Sequence, residues 1–256
     1  PHGQKLAMRL LQTEYDRAAE RSVPGGQAGF TRRRGAPEQM LMMRAHKEHC
    51  HALRAPCLRG YADWSTFFMS VIREVSWEVE RRSGVRPEVI DVVSTLYTDT
   101  RGRFETEWGM TEDVPVECGV GQGCVAAPVR SKLVLSVVQR AVSALCRGYK
   151  FEGAAGGTPS LFCADDGAFQ ASSLADLQMM FDTCWLVSRV LGLSMGVKAS
   201  GTKTAWSGTY WKQGVEREIE GWTIRLPDGR TVPQVRSYKY LGQVELSGWK
   251  PDRGDK

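Results

Sequence analysis

The stretch Phe162-Cys163-Ala164-Asp165-Asp166-Gly167 is the part of the sequence that decides the fold. A largely apolar run over 158–164 ends on two adjacent carboxylates, and apolar residues resume at 168 and 169. This pattern predicts two strands joined by a tight turn, with both acids at the tip of the turn. Because adjacent negative charges repel each other, a fold that keeps them together needs a compensating cation. A divalent metal ion is the simplest choice.

A third carboxylate, Asp63, lies near the end of another predicted strand, 58–64. If the strands pair in one sheet, Asp63 meets Asp165 and Asp166 at one edge. Such a group can hold two Mg²⁺ ions about 3.5–4 Å apart, an arrangement that suits in-line attack of a hydroxyl on a phosphate. Mg²⁺ keeps several coordination positions for water and phosphate oxygens. An Ala-Asp-Asp sequence without the third acid is more typical of a surface turn.

The rest of the chain mixes helical patterns with hairpin patterns. Apolar spacing, Pro starts and a capping box at Ser173 predict helices over 4–22, 38–53, 65–82, 87–97, 128–145 and 174–191. Hairpins are predicted over 101–119 and 222–235, and a strand over 238–244. Parallel βαβ alternation is absent from this pattern, so the predicted fold class is α+β.

Bulk composition sets limits on the protein's class. Apolar residues make up 42% and charged residues 25% of 256 residues, which is typical of a globular chain with one large domain or two lobes. Apolar runs stay well short of the roughly 20 residues that span a bilayer, so no membrane partner is expected. The seven cysteines are an odd number without framework spacing, which favours reduced thiols in an intracellular protein.

The chain ends and the charge add two further expectations. The N-terminus has neither an initiator Met nor a signal-peptide apolar region, so we expect a piece of a longer protein. The net charge of +5 leans toward a polyanionic partner. Its densest part is the basic loop Thr31-Arg32-Arg33-Arg34-Gly35, although basic runs are often only solvated surface.

A cluster of His and Cys residues lies in the second predicted helix and just after it. Zinc binding is one interpretation. The spacing lacks the two-pair pattern of zinc ligands, and adjacent helical residues point in different directions, so an exposed helix face is the favoured interpretation. The residues are His46, His49, Cys50, His51 and Cys57.

Three motifs in the middle of the chain occur in a familiar order. They are Asp63-Trp64-Ser65-Thr66-Phe67-Phe68-Met69-Ser70-Val71, then Gly119-Val120-Gly121-Gln122-Gly123-Cys124-Val125-Ala126-Ala127-Pro128, then Cys163-Ala164-Asp165-Asp166. The set resembles the palm of reverse transcriptases, especially the branch of non-LTR (LINE-type) retrotransposons and group II introns. Departures from the family pattern are Phe67 for alanine, Met69 for a second Asp, Ala127 for serine and Cys163 for an aromatic residue.

The resemblance implies a role for each matching residue. Asp63 and Asp165 hold two Mg²⁺ ions, with Mn²⁺ as an alternative, and Asp166 assists or orients them. Phe68 excludes a 2′-hydroxyl by its bulk. Gln122 and Gly123 shape the nucleotide pocket, because the amide can hydrogen-bond and the glycine lets the backbone approach closely.

Flanking segments extend the resemblance to about residues 25–245. Gln27-Ala28-Gly29-Phe30 with the following arginines resembles the fingers motif, in which Arg34, together with Arg32 or Arg33, would grip the triphosphate. The segment Leu191-Gly192-Leu193-Ser194-Met195 precedes Lys203, which would protonate pyrophosphate, with Lys198 as a rival because the spacer is long. The segment Tyr240-Leu241-Gly242 would contact the primer end.

The resemblance further implies a right-hand fold, with an antiparallel palm sheet packed on helices. Residues 1–57 would belong to the fingers and 58–205 to the palm, with 82–118 as a candidate fingers-side insertion. Residues 206–256 would complete the palm with primer-grip-like strands and begin the thumb. The implied enzyme is a nucleotidyltransferase, an RNA-directed DNA polymerase, whose partners are an RNA template, a DNA primer and dNTPs. A nuclear location follows from the resemblance alone.

Two alternatives stay open at this point. A decayed copy would fold and bind nucleic acid without polymerising, and the changes at Met69, Ala127 and Cys163 and the long spacer before Lys203 favour it. An intron maturase would add splicing support to polymerisation through a further domain.

Overall fold

The computed structural model describes residues 2–103, 105–121 and 124–249. In these ranges the helices are α1 (His2–Ser22), α2 (Ala36–Ala52), α3 (Phe67–Ser70), α4 (Arg73–Arg82), α5 (Pro87–Tyr97), α6 (Ala127–Leu145) and α7 (Leu174–Val190). The strands are β1 (Cys57–Ala62), β2 (Trp64–Ser65), β3 (Arg101–Gly102), β4 (Glu105–Thr106), β5 (Gly109–Met110), β6 (Val114–Pro115), β7 (Ser160–Cys163), β8 (Asp166–Ala171), β9 (Ser194–Met195), β10 (Ala205–Lys212), β11 (Val215–Glu218), β12 (Ile224–Arg225), β13 (Thr231–Val232), β14 (Ser237–Tyr240) and β15 (Gln243–Leu246). None of the helices in the described ranges has the length and apolar character needed to cross a membrane.

The main sheet has five strands in the order β11-β10-β1-β8-β7, and each neighbouring pair is antiparallel. β7 and β8 form the hairpin predicted around the paired acids, and its last pair is Cys163 opposite Asp166. β1 lies at the centre and pairs with β8 from Leu58 opposite Ala171 to Ala62 opposite Gly167. The α+β prediction is confirmed, since the chain combines helices with an antiparallel sheet.

Both faces of the sheet are buried, because alternate residues of each strand point to opposite sides. On one side Leu58 and Ala62 join the core formed with α6 and α7. On the other side Tyr61 packs with Met43 of α2 and Tyr240 of β14. This double burial explains why all six residues of β1 are buried.

A second core joins α1, α5 and α6. At its edge Arg130 of α6 donates to Glu80 of α4 over 2.7 Å, and the Tyr15 hydroxyl donates to the same carboxylate over 2.9 Å. All three side chains are buried. The opposite charges of Arg130 and Glu80 compensate each other inside the fold. Together with the Tyr15 hydroxyl, they connect α6 and α1 to α4.

The single helix predicted over 65–82 is wrong. The structure has α3 and α4 instead, with Val71 and Ile72 in extended conformation between them. The Val71 carbonyl accepts from Gly119 N–H over 2.8 Å, and Ile72 N–H donates to the Leu191 carbonyl over 3.1 Å. These long-range backbone bonds replace the helical bonds that the apolar spacing predicted.

The single strand predicted over 238–244 is also wrong. It is a hairpin, because Leu241 and Gly242 both adopt positive φ angles of 48° and 87°. Tyr240 and Gln243 form the closing pair of β14 and β15. A two-residue turn with two positive φ angles matches the twist of hairpin strands.

The predicted exposed face of the second helix is wrong for two of its residues. His46 and Cys50 are buried on the side of α2 that packs on the sheet, and Cys57 is buried at the start of β1. The α2 helix covers a sheet that is buried on both faces, so this side of the helix is interior.

Candidate active site

The three acids predicted as metal ligands converge at one end of the central strands. Ala62 and Gly167 are the last pair of β1 and β8, and the same register continued by one step sets Asp63 opposite Asp166. Asp165 occupies the two-residue turn between β7 and β8. Strand pairing thus joins residues that lie about a hundred positions apart in sequence.

Asp63 is held from three sides. Lys203 Nζ donates to Asp63 Oδ2 over 3.0 Å and also lies 3.0 Å from Oδ1. The Asp63 carbonyl accepts from Gly196 N–H over 2.9 Å and from the Thr204 hydroxyl over 3.2 Å. Lys198, the rival lysine, is exposed to solvent, so the structure brings Lys203 to the acids.

The local chemistry suits a divalent cation. Asp63 Oδ1 is buried and has no hydrogen-bond partner among the described residues, although the Lys203 ammonium lies beside it. The pKa of Asp166 is raised to about 6, by loss of hydration and by the negative charges of Asp165 and Asp63, while Lys203 lowers it in part. Carboxylate oxygens that repel one another and lack full hydrogen bonding are suitable ligands for Mg²⁺.

The raised pKa of Asp166 predicts that this carboxylate lowers the free energy of unfolding at high pH. Asp166→Asn should remove this pH-dependent loss of stability. The folded-state pKa of about 6 exceeds the usual 3.8, so the folded protein binds this proton more tightly and its unfolding free energy falls as pH rises through that window. Without divalent ions we expect the variant to melt about 2–4 °C above wild type at pH 8, corresponding to about 1 kcal/mol after solvent screening. Near pH 4 the two should melt alike. Thermal denaturation over this pH range measures the difference.

The control for this prediction is Asp91→Asn, which changes an exposed carboxylate on α5. Its melting temperature should respond to added Mg²⁺ as that of wild type does. Added Mg²⁺ should stabilise wild type more than Asp166→Asn at pH 8. Equal stabilisation of both proteins would contradict a metal-ligand role for this carboxylate.

The turn that carries Asp165 is held by a residue whose role the sequence did not reveal. Ala164 adopts a φ of 58°, which non-glycine residues rarely do. Gln27 is fully buried beside it: its Oε1 accepts from Ala164 N–H over 3.1 Å and from Gly29 N–H over 2.8 Å. Its Nε2 donates to the Ala164 carbonyl over 3.2 Å. One side-chain amide therefore satisfies both backbone groups of the strained residue.

Replacing Gln27 by Ala should loosen this turn. Three hydrogen bonds are lost and buried N–H groups stay unpaired, so we expect a loss of about 1–3 kcal/mol in unfolding free energy by urea denaturation. Gln12→Ala on α1 is the matched control and should stay within about 0.5 kcal/mol. Unchanged stability of Gln27→Ala would show that the amide does not support the turn.

The predicted nucleotide-binding residues are only partly described. Phe68 is half-buried in α3, and its carbonyl accepts from Val120 N–H over 2.9 Å. This contact ties Phe68 to the loop that leads to Gln122 and Gly123, which both lie outside the described residues.

The basic loop is an exposed surface next to the acid-bearing turn. Arg32 and Arg34 are exposed, and Arg34 Nη1 donates to the Gly25 carbonyl over 2.8 Å. A groove of about 510 Å³ is lined by the three arginines and Lys132 and by the acids Asp16 and Glu20. The loop begins two residues after Gly29, the residue that abuts Ala164.

The predicted primer-contact segment lies against the same end of the sheet. Tyr240 is buried, whereas Leu241 and Gly242 form the hairpin turn. Tyr238, two residues before Tyr240, stacks on Tyr61 with ring centroids 4.0 Å apart. Burial raises the pKa of Tyr238, and the charges of Asp63 and Asp166 raise it further, so this ring lies close to the acids.

Comparison with known proteins identifies the fold. No family model and no curated protein matches the sequence. Apo telomerase from Candida tropicalis, truncated from its C-terminal domain, matches with a TM-score of 0.57 and 12% identity over 94% of this chain and 43% of that chain. Telomerase from the same organism, in complex with a TWJ fragment of telomeric RNA, matches with a TM-score of 0.52 and 14% identity over 84% of this chain and 33% of that chain.

These similarities concern the fold, since the identities are low. Telomerase is related to reverse transcriptases, and the chain therefore has a reverse-transcriptase-like fold. The chain spans less than half of the length of either telomerase chain.

Proposed function

We propose that the chain is the catalytic core of an RNA-directed DNA polymerase, a nucleotidyltransferase that extends a primer 3′-hydroxyl with dNTPs. The observation that carries this proposal is the convergence of Asp63, Asp165 and Asp166 at one end of the sheet in a reverse-transcriptase-like fold. The structural neighbours support nucleic-acid partners, because one of them is a telomerase in complex with a fragment of telomeric RNA.

In this proposal the three carboxylates hold two Mg²⁺ ions. Bound there, the ions would activate the primer hydroxyl and neutralise charge on the phosphates. Lys203 already neutralises part of the charge of Asp63, and in this proposal it would donate a proton to the departing pyrophosphate. Gln27 hydrogen-bonds both backbone groups of Ala164 and so supports the turn that carries Asp165 and precedes Asp166.

In this proposal, residues around the three acids select the nucleotide. Phe68 would press on the sugar and exclude a 2′-hydroxyl, next to a nucleotide pocket formed with Gln122 and Gly123. Arg32 and Arg34 would pair with the triphosphate, since exposed guanidinium groups bind phosphate bidentately.

The template and primer would lie across the sheet end. Tyr240, Leu241 and Gly242 would contact the primer, with Tyr238 beside the acids. In domain terms, 1–57 would form part of the fingers, 58–205 the palm and 206–256 the palm end and the start of the thumb. Strand β10 begins at Ala205 and pairs with β1, so the main sheet includes residues on both sides of the last boundary.

A second candidate is a nucleic-acid-binding domain of the same fold that does not polymerise. Two observations favour this candidate. Asp63 forms an ion pair with the Lys203 ammonium. Met69, at the usual position of another Asp, is exposed. A LINE-type element and an intron maturase are the candidate sources of either form.

A primer-extension assay decides between the two candidates. The 256-residue chain is incubated with a DNA primer annealed to an RNA template, dNTPs and Mg²⁺, and binding of the same duplex is measured in parallel. Extension that requires Mg²⁺ and prefers dNTPs over rNTPs is the expected result. Tight binding of the duplex without incorporation would favour the binding domain.

A further inference from the structure

The structure brings three buried metal-ligand side chains together far from the acids. His46 and Cys50 lie four residues apart on α2 and share one helix face, and Cys57 begins β1. Their ligand atoms all lie within 4.8 Å of one another. The three side chains are 0%, 1% and 3% exposed, so this cluster is an interior feature that joins a helix to the central strand.

The state of His46 points to a ligand. Neither of its buried ring nitrogens has a hydrogen-bond partner among the described residues. Buried imidazoles ordinarily satisfy at least one nitrogen, because an unpaired polar group inside a protein is unfavourable. A neutral imidazole ring has one nitrogen lone pair that can bind a metal ion.

We propose that His46, Cys50 and Cys57 bind one Zn²⁺ ion or a similar thiophilic metal ion. Two thiolates and one imidazole are a donor set that zinc prefers, whereas Mg²⁺ prefers oxygen. Tyr149 is a candidate for a fourth ligand, since its hydroxyl lies within hydrogen-bonding reach of the Cys50 thiol.

The charges around the cluster are compatible with a bound cation. The nearby Arg59 guanidinium is fully buried but is paired with Glu245 over 2.9 Å. Two thiolates balance the charge of a divalent ion. Thiolates are the form that ligates metals, so binding would release the two thiol protons.

The site would be structural. Cys57 begins the six-residue strand whose far end precedes Asp63, so the cluster and the acids lie on the order of 20 Å apart at about 3.3 Å per residue. The metal would link α2 to the central strand β1. The proposal is independent of polymerase activity, since it concerns different residues and a different metal.

Cobalt substitution tests the site in the full 256-residue chain. Reduced, chelator-treated protein is titrated with Co²⁺, with thiolate-to-cobalt charge-transfer absorption as the readout, and Zn²⁺ is then added in competition. We expect one equivalent of Co²⁺ with thiolate absorption, displaced by Zn²⁺. Folded wild-type protein that shows no thiolate absorption would overturn the proposal.

Variants assign the ligands. Cys50→Ser and His46→Gln should each lose the absorption or weaken Co²⁺ binding at least tenfold, whereas Cys118→Ser, which changes an exposed cysteine, should bind as wild type does. Circular dichroism checks folding of each variant, and the wild-type titration decides if a variant fails to fold. A Cys50–Cys57 disulfide in aerobic protein, with no metal uptake after reduction, would identify a redox pair and overturn the proposal.

Discussion

Asp165→Asn is expected to lower primer extension by about 10³-fold or more. The change replaces the carboxylate that we propose as a metal ligand by a neutral amide at the tip of the β7–β8 turn while keeping the side-chain shape. A bound metal contributes several kcal/mol of charge stabilisation, and each 1.36 kcal/mol corresponds to a factor of ten in rate. Single-turnover incorporation of one dNTP at saturating duplex concentration measures the effect directly.

A loss of activity in Asp165→Asn is informative only if the variant still folds and binds the duplex. Duplex binding and thermal stability should stay close to wild type, because the turn itself is held by the Gln27 amide and not by the Asp165 side chain. Asp63→Asn should lose activity to a similar degree, and Asp91→Asn on α5 should retain it. Full activity of Asp165→Asn would rule out the proposed site.

Gly29→Ala is expected to lower activity strongly and to destabilise the fold. A Cβ atom at this position would lie 1.9 Å from Ala164 N and 2.5 Å from Ala164 Cα. Both are backbone atoms of the acid-bearing turn, so no side-chain rotation relieves the clash, and either the turn or the segment 26–30 must move. We expect a loss of about 2–3 kcal/mol in unfolding free energy, the upper range for overpacking, and at least about 10²-fold lower incorporation.

Gly25→Ala is the control in the same loop. Among the described residues, the closest atom to a Cβ at Gly25 is Arg34 Nη1 at 3.9 Å, which is ordinary contact. Urea denaturation and single-dNTP incorporation should therefore match wild type. If Gly29→Ala behaved like Gly25→Ala, the close approach of this segment to the turn would be wrong.

Local signals in the sequence predicted much of the fold. An apolar run that ends on Asp165 and Asp166 predicts a hairpin, since charged residues belong at its exposed tip. Helix α5 begins at the predicted Pro87, and Ser173 Oγ accepts from Asp176 N–H over 3.1 Å at the start of α7. These features depend on residues within a few positions of one another, so the local sequence alone predicts them.

Features set by distant contacts were missed. Apolar spacing continued across Val71 and Ile72 as in a helix, but their backbone groups pair with Gly119 and Leu191. The Leu241 turn was missed because a leucine rarely takes a positive φ. Ligand spacing along the helix does not predict the proposed metal site at His46, since the third proposed ligand comes from a strand and not from the helix.

By itself, the sequence determined the turn that presents Asp165 and Asp166, the mixture of helices with antiparallel hairpins, and the order of motifs that a reverse-transcriptase-like fold contains. Only the tertiary structure decided which side chains meet at that turn. Asp63 and Lys203 form an ion pair across 140 residues, and Gln27 binds Ala164 across 137. Such contacts depend on the register of β1 with β8 and on the packing of the segment around Gln27 against β7, and no local pattern in a single sequence encodes that register.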